Sequence, residues 1–269
     1  MASVGLNYAR AIHGARTAPP PDTAECVKQA IRSTRLNFVQ KVFGIVAAQL
    51  FVTTALCCVA MFVPSVRSYV ISTWDSVGVR GAWGWHDFAS FILPFFFLFT
   101  SWACQHRHPH NLVSIFFFTL SSSWGVARTC AVLYEVGLGQ SIALAAGLTA
   151  FATASITLFA LLSKKDFSYW RAGLFVSLLT FCASGTIALV CQYTGWPYPY
   201  SFHHACGVVL FSLYLLYDVH MLSTTLSVDD YIPAAIAIYL DILNLFLQLL
   251  SLIVRALAEE ADKKKKDKQ

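Results

Sequence analysis

The chain has 269 residues, of which 57% are hydrophobic and 12% are charged, and its mean hydropathy is +0.60. This balance lies far from that of a soluble globular domain and excludes one, so we expect a protein surrounded by lipid, with no nucleic-acid partner. The eight cysteines form no CxxC motif, so the sequence indicates neither a disulfide framework nor a thiolate metal site.

The first 41 residues precede any long apolar stretch and hold three consecutive prolines at 19–21 in a polar, basic context. They contain no apolar segment typical of a cleaved signal, so we predict that residues 1–41 form a disordered basic cytosolic arm. Arg10 and Arg16, with no acidic residue before them, leave a mitochondrial transit peptide as the alternative.

Seven apolar stretches follow, each near the length of about 20 residues that a helix needs to cross the hydrocarbon core. They cover residues 42–63, 88–104, 112–134, 139–162, 172–192, 202–222 and 232–255. Backbone groups must be hydrogen-bonded within lipid, so each stretch is predicted to be α-helical. We therefore predict an all-α polytopic membrane bundle of about seven transmembrane helices over residues 42–255, followed by a Lys-rich tail at 256–269.

The distribution of Lys and Arg predicts that the N-terminus lies in the cytosol. Six of these residues lie in the arm, one in the loop 105–111 and three in the loop 163–171. Seven full crossings would place the basic tail on the opposite side, in conflict with the same rule. Either the last segment re-enters and returns, or it crosses; its length of 24 residues favours a crossing.

Three charged residues stand out within the predicted spans, namely Arg128, Asp218 and Asp241. An ionisable group near the bilayer centre costs several kcal/mol and is a functional candidate by default. Arg128 is either a counter-ion to an aspartate or a structural residue that snorkels to the interface. On the last helix, a polar stripe at helical spacing consists of Asp241, Asn244, Gln248, Ser251 and Arg255.

The sixth span carries a comparable face, formed by His204, Gly207, Phe211, Tyr214 and Asp218. A loop of about nine residues joins the sixth and seventh spans, which makes them neighbouring antiparallel helices. Contact between the carboxyl groups of Asp218 and Asp241 is therefore plausible. Interhelical hydrogen bonds that only hold the bundle together are the structural alternative, but the carboxylates favour a polar cavity.

Two carboxyl groups in a low-dielectric site do not both ionise readily, so Asp218 and Asp241 are expected to share a proton and sense pH. When ionised, the pair also suits a transient hard cation such as Ca²⁺, which prefers carboxylate and carbonyl oxygens. We expect Asn244, Gln248 and Tyr214 to line the polar path beside them. No cofactor is predicted, since Ca²⁺ would be the permeant ion.

The chain resembles the Bax inhibitor-1 family, and its lifeguard branch in particular. The resemblance lies in four segments: RLNFVQKVFGIVAAQLFVTT at 35–54, TLFALLSKKDFSYW at 157–170, LFSLYLLYDVHM at 210–221 and AAIAIYLDILNLFLQLLSLI at 234–253. These segments occur in the family's order, and the resemblance covers roughly residues 35–255.

This resemblance implies a seven-helix bundle around a central last helix, acting as a pH-sensitive Ca²⁺ leak of intracellular membranes and a suppressor of cell death. Asp218 and Asp241 match the family's gating aspartates. Arg107 matches an arginine that relatives associate with the same gate, so it is a second candidate counter-ion. Where many relatives carry an acidic residue in the third helix and an arginine in the last, this chain has Ser121–Ser123 and Ser251.

The resemblance further implies an endomembrane location, in the endoplasmic reticulum or the Golgi, in preference to the plasma membrane or the mitochondrial inner membrane. The expected partners are the lipid bilayer, Ca²⁺, protons and membrane proteins that regulate cell death. We expect no enzymatic activity.

A membrane-embedded zinc hydrolase is the rival hypothesis. His106 and His110 would share a helix face near Cys104 and form the core of a metal site. Pro109 disrupts such a helix and Arg107 adds positive charge where a metal would bind, so a basic interfacial turn is the favoured interpretation.

Overall fold

The computed structural model describes residues 21–80, 85–105, 107, 109–163 and 165–267. Within these ranges all regular structure is helical. The eight α-helices are α1 (Pro21–Phe62), α2 (Pro64–Arg80), α3 (Trp85–Ala103), α4 (His110–Glu135), α5 (Gly139–Leu162), α6 (Arg171–Thr194), α7 (Tyr200–Thr224) and α8 (Tyr231–Lys266). Short 3-10 turns, Ser168–Trp170 and Val228–Asp230, precede α6 and α8.

The predicted all-α polytopic bundle is confirmed, and the protein is an integral membrane protein. Six helices among the described residues are long and apolar enough to cross a membrane; they are α1, α4, α5, α6, α7 and α8. The remaining predicted span, 88–104, corresponds to α3 (Trp85–Ala103), a helix of 19 residues.

Two helical segments differ from the sequence predictions. Residues 21–41, expected to be disordered, are helical as the N-terminal part of α1. Pro21 stands at the first helical position, where its missing N–H is tolerated, and no proline or glycine follows it before Gly44. The second is α2, whose Arg67, Asp75 and Arg80 kept it from being recognised among the apolar stretches.

By contacts between residues the chain divides into two units, Met1–Lys41 and Val42–Gln269. Within the second unit α8 packs against α3, α4, α5 and α7, which places the last helix at the centre of the bundle. Its apolar side chains Ile238, Tyr239 and Leu245 are almost completely buried there. Helix α8 continues without a break to Lys266, so it does not turn back within the span.

Buried hydrogen bonds join α1, α4 and α8 within the second unit. Gln49 Nε2 donates to Thr119 Oγ1 at 3.0 Å. The Thr53 hydroxyl contacts Ser123 Oγ at 2.8 Å and the Tyr239 hydroxyl at 2.9 Å. All five side chains are buried. Such bonds between small polar groups hold membrane helices together without burying a charge.

Candidate functional site

The last two membrane helices bring the carboxyl groups of Asp218 and Asp241 together. Asp218 is partly buried on α7, and Asp241 is buried on α8 with 6% of its surface exposed. The two carboxyl groups are hydrogen-bond partners. Ionised carboxylates only accept hydrogen bonds, so one of the two must carry a proton to donate. A hydrogen bond between the two acids therefore requires that one of them keeps its proton.

A second feature of the pair is a buried carboxyl oxygen of Asp241. Asp241 Oδ2 is buried and has no hydrogen-bond partner among the described residues. A buried polar oxygen without a partner is costly, and a proton donor or a cation would remove that cost. The aspartate pair thus places a buried carboxyl oxygen at the centre of the bundle, where a proton or a cation would stabilise it.

The connection between α7 and α8 explains why the two aspartates meet. Helix α7 ends at Thr224, and α8 begins at Tyr231 after the turn Val228–Asp230. Ser227 caps this turn, because its hydroxyl accepts from the backbone N–H of Asp229. So short a connection makes α7 and α8 antiparallel neighbours, as the sequence predicts.

The other end of the same helix pair is closed by a neutral contact. His204 Nδ1 donates to Gln248 Oε1 at 2.7 Å. A Cβ atom at Gly207 would lie 2.8 Å from Cγ and Cδ of Gln248, so only glycine permits this close approach. The Gln248 side chain therefore fills the space between the helices at this level.

The two other predicted pore-lining residues lie between these ends. Asn244 Nδ2 donates to the carbonyl oxygen of Leu240 in its own helix at 2.9 Å. Tyr214 packs against the cluster that contains the buried Leu210 and Tyr217 side chains. The pore-lining roles of Asn244, Gln248 and Tyr214 stay predictions.

The two candidate counter-ions differ in burial. Arg128 is buried in α4, with 4% of its surface exposed. Arg107 is exposed in the turn after α3 and forms no ion pair with Asp218 or Asp241 in the described part of the chain. Their counter-ion roles stay predictions.

The zinc alternative rests partly on residues outside the described ranges. His106 is one of them, so its proximity to His110 is not described. Among the residues that are described, no group of three or more His, Cys, Asp or Glu side chains is arranged to hold a metal. His110 begins α4 and is exposed.

Sequence reasoning missed a polar contact at the same end of α7 as Asp218. His220 is buried, and its Nε2 atom lies 3.4 Å from Asp166 Oδ1 and accepts the Phe167 N–H at 3.3 Å. The backbone N–H of Ser168 donates to Asp166 Oδ1 at 2.8 Å and holds the pKa of that carboxyl below its usual value. No pattern in the sequence signalled this contact, because it joins a helical residue to a loop far away along the chain.

Known proteins resemble this chain over most of its length. A family model described as "Inhibitor of apoptosis-promoting Bax1" matches residues 35–257. Protein lifeguard 4 of Mus musculus is 32% identical over 228 residues, which cover 85% of this chain and 89% of that relative. The Golgi anti-apoptotic protein of vaccinia virus (strain Lister) is 32% identical over 227 residues, covering 81% of this chain and 85% of the viral protein. Protein LIFEGUARD 1 of Arabidopsis thaliana is 31% identical over 222 residues, covering 81% and 89% respectively. Together with the helical bundle, matches of this extent show that the chain belongs to the Bax inhibitor-1 family.

Proposed function

We propose that the protein is a pH-sensitive Ca²⁺ leak pathway of an intracellular membrane, gated by Asp218 and Asp241. The observation that carries the proposal is the contact between these two carboxyl groups, one of which is buried within a membrane helix. A buried acid pair is costly to retain for stability alone, whereas it provides a proton-dependent link between two helices.

The mechanism follows from the charge of the pair. With one proton shared, the carboxyl groups attract and hold α7 against α8. Loss of that proton leaves two like charges in a weakly screened site, and their repulsion favours separation of the helices or replacement of the proton by Ca²⁺. Asp241 Oδ2, which has no partner among the described residues, is an oxygen of the kind that Ca²⁺ prefers.

Protons and Ca²⁺ therefore compete for the same oxygens in this proposal. The side-chain oxygen Oε1 of Gln248 already accepts a hydrogen bond from His204. In this proposal, that contact forms a second barrier. An ion leaving the aspartate pair along α8 would have to displace that hydrogen bond. We take the pair as the pH-sensitive gate and the His204–Gln248 contact as a neutral constriction.

The biological role that we propose is restraint of cell death from an endomembrane. The names of the relatives support it: the viral relative is a Golgi anti-apoptotic protein, and the family model describes inhibitors of apoptosis-promoting Bax1. The Golgi and the endoplasmic reticulum are the membranes we propose. Membrane proteins that regulate cell death are the proposed partners.

The decisive experiment is Ca²⁺ efflux from liposomes that contain the purified protein, with pH varied on each side separately. We expect efflux above that of empty liposomes, and we expect Asp241→Asn to change it. Asp229→Asn is the matched control, because Asp229 is an exposed aspartate in the turn before α8. Wild-type efflux equal to that of empty liposomes would overturn the proposal.

A further inference from the structure

A large groove lies on the side of α8 away from the aspartate pair. Its volume is about 890 Å³, and α1, α4, α5 and α8 form its walls. The lining extends along α5 from Gly139 to Leu161 and along α1 from Phe43 to Phe62. At 1.5 Å per residue these stretches measure about 33 Å and about 28 Å. The groove is therefore about as long as the hydrocarbon core is thick.

The walls of the groove are apolar and its rim is exposed. No acidic or basic side chain lines it among the described residues, and four small residues form one side: Ala143, Ala146, Ala150 and Ala154. The rim residues Phe62 and Leu158 are 61% and 60% exposed. These rim side chains belong to membrane-spanning helices, so the groove is continuous with the surface that contacts the bilayer.

Two threonines of α5 distinguish the groove from a purely apolar one. The hydroxyl oxygens of Thr153 and Thr157, one helical turn apart, are buried without hydrogen-bond partners in the described part of the chain. The neighbouring Thr149 hydroxyl instead donates to the Ala145 carbonyl in its own helix at 2.7 Å. A χ1 rotation of Thr153 or Thr157 exchanges its methyl and hydroxyl positions, so either residue could donate to an oxygen of a bound molecule.

We propose that this groove is a binding site for an acyl chain of a bilayer phospholipid. The length of the groove favours a flexible chain over a compact, rigid sterol, because the lining spans the whole membrane helix. An ester carbonyl of a phospholipid would accept from a threonine hydroxyl, which a plain hydrocarbon cannot do. The chain would replace water or empty space, neither of which an apolar cavity favours in a membrane.

The bound chain would pack against the back of the gating helix. Ile242, Leu243 and Phe246 of α8 line the groove, on a different face from Asp241. The binding proposal does not depend on Ca²⁺ leakage, because it concerns retention of lipid and not flux. A lipid bound in the groove should exchange more slowly than the lipids of the surrounding bilayer.

The test is to measure phospholipid retained by the full-length protein. The protein would be loaded in liposomes of phosphatidylcholine with a photoactivatable diazirine in one acyl chain, crosslinked, and mapped by mass spectrometry. We expect crosslinks concentrated on the groove-lining segments of α1 and α5. After detergent extraction and washing, about one phosphatidylcholine per chain should remain bound.

Ala150→Trp fills the groove and should lower both retention and groove crosslinking by fivefold or more. Ala183→Trp is the matched control, since Ala183 is an exposed alanine of α6 that does not line the groove. If Ala150→Trp does not fold, Ala146→Leu provides a smaller obstruction of the same groove.

Replacing both Thr153 and Thr157 by valine should weaken retention about fivefold per lost hydrogen bond.

Three outcomes would overturn the proposal. Crosslinks spread evenly over all lipid-facing helices would indicate surrounding lipid only. Equal retention by Ala150→Trp and Ala183→Trp would show that the groove does not hold the chain. Displacement of phosphatidylcholine from the groove by an equimolar sterol would show that the groove prefers a rigid ligand.

Discussion

The two ends of the α7–α8 pair close by different chemistry. At one end the carboxyl groups of Asp218 and Asp241 share a hydrogen bond that exists only while one of them is protonated. At the other end His204 donates to the neutral Gln248 amide at 2.7 Å, over a glycine that leaves room for it. The same two helices are thus joined by two contacts. One depends on a proton shared between two acids, and the other is a hydrogen bond to a neutral amide.

This difference separates two properties of a leak pathway. Like charges repel at the acid end when the shared proton is lost, so that end should set the pH response. An amide acceptor carries no charge, so the His204–Gln248 contact should set how tightly the path is closed.

The largest effect is expected from the aspartates themselves. Asp218→Asn, Asp241→Asn and the double variant should each lose the wild-type pH midpoint of Ca²⁺ efflux, by at least one pH unit or entirely. Because both residues belong to one titrating unit, the double variant should be no worse than either single variant. The measurement is efflux from liposomes over pH 5 to 8.

Independent behaviour would contradict this interpretation. If each single variant keeps a normal midpoint and the two effects add, the carboxyl groups do not act as a pair. The direction of pH gating is also read from this experiment, and the proposed mechanism expects efflux to rise as the shared proton is lost. The coupling prediction holds for both directions.

The second prediction concerns the neutral end. Gly207→Ala should displace the Gln248 side chain, because the new Cβ would lie 2.8 Å from two of its carbon atoms. We expect basal efflux to rise a few fold while the pH midpoint stays that of the wild type. The matched control is Gly185→Ala on α6, where the nearest side-chain atom, of His203, is 3.8 Å away.

Both variants replace a helical glycine by alanine, so their effect on backbone entropy is alike. A shifted midpoint in Gly207→Ala alone would mean that the two ends are coupled and that the division proposed above is wrong. Efflux raised equally by Gly185→Ala would show that any new methyl group loosens the bundle.

Sequence reasoning found the bundle and the acid pair for physical reasons. Apolar stretches must be as long as the bilayer is thick, so α5 at Gly139–Leu162 matches its predicted bounds and α4 exceeds them by only a few residues. The short connection after Thr224 brings Asp218 to Asp241 because antiparallel neighbours leave little freedom.

The same reasoning could not find partners that depend on side-chain direction. His204 and Gln248 both lay on predicted polar faces of their helices. Helical spacing does not say which side chains of two facing helices form a hydrogen bond with each other. The contact of Thr53 with Ser123 and Tyr239 joins three helices that are far apart in sequence. Helix α2 was missed because a helix with three charged residues gives no long apolar signal.

A third, smaller effect is expected from Tyr239→Phe. Tyr239 precedes Asp241 by two residues on α8, and its hydroxyl contacts Thr53. Loss of this interhelical bond should lower stability by about 0.6 kcal/mol, seen as a small decrease in thermal midpoint in detergent. The pH midpoint of efflux should not change. If Tyr239→Phe shifted the pH midpoint of efflux as much as Asp241→Asn does, any disturbance of α8 would mimic loss of the acid pair.

The smallest effect is expected from Asp166→Asn, at the same end of α7 as the acid pair. Its carboxyl accepts the Ser168 N–H, which holds the pKa of Asp166 below its usual value in the folded protein. A lowered folded pKa stabilises the protein above the unfolded pKa of about 3.9, and that contribution is lost as pH falls through the lower folded value. Solvent screens this exposed group, so the change in stability should be slight.

Asp166→Asn should therefore weaken the loss of thermal stability below about pH 4 and leave efflux above pH 5 unchanged. Melting curves in detergent from pH 3 to 7 measure the first effect, and liposome efflux measures the second. Asp229→Asn again serves as the exposed control. Asp166 Oδ1 also lies 3.4 Å from His220 Nε2. If Asp166→Asn shifts the efflux midpoint, the pH response depends at least partly on the contact between Asp166 and His220, and the comparison of the two helix ends must include that contact.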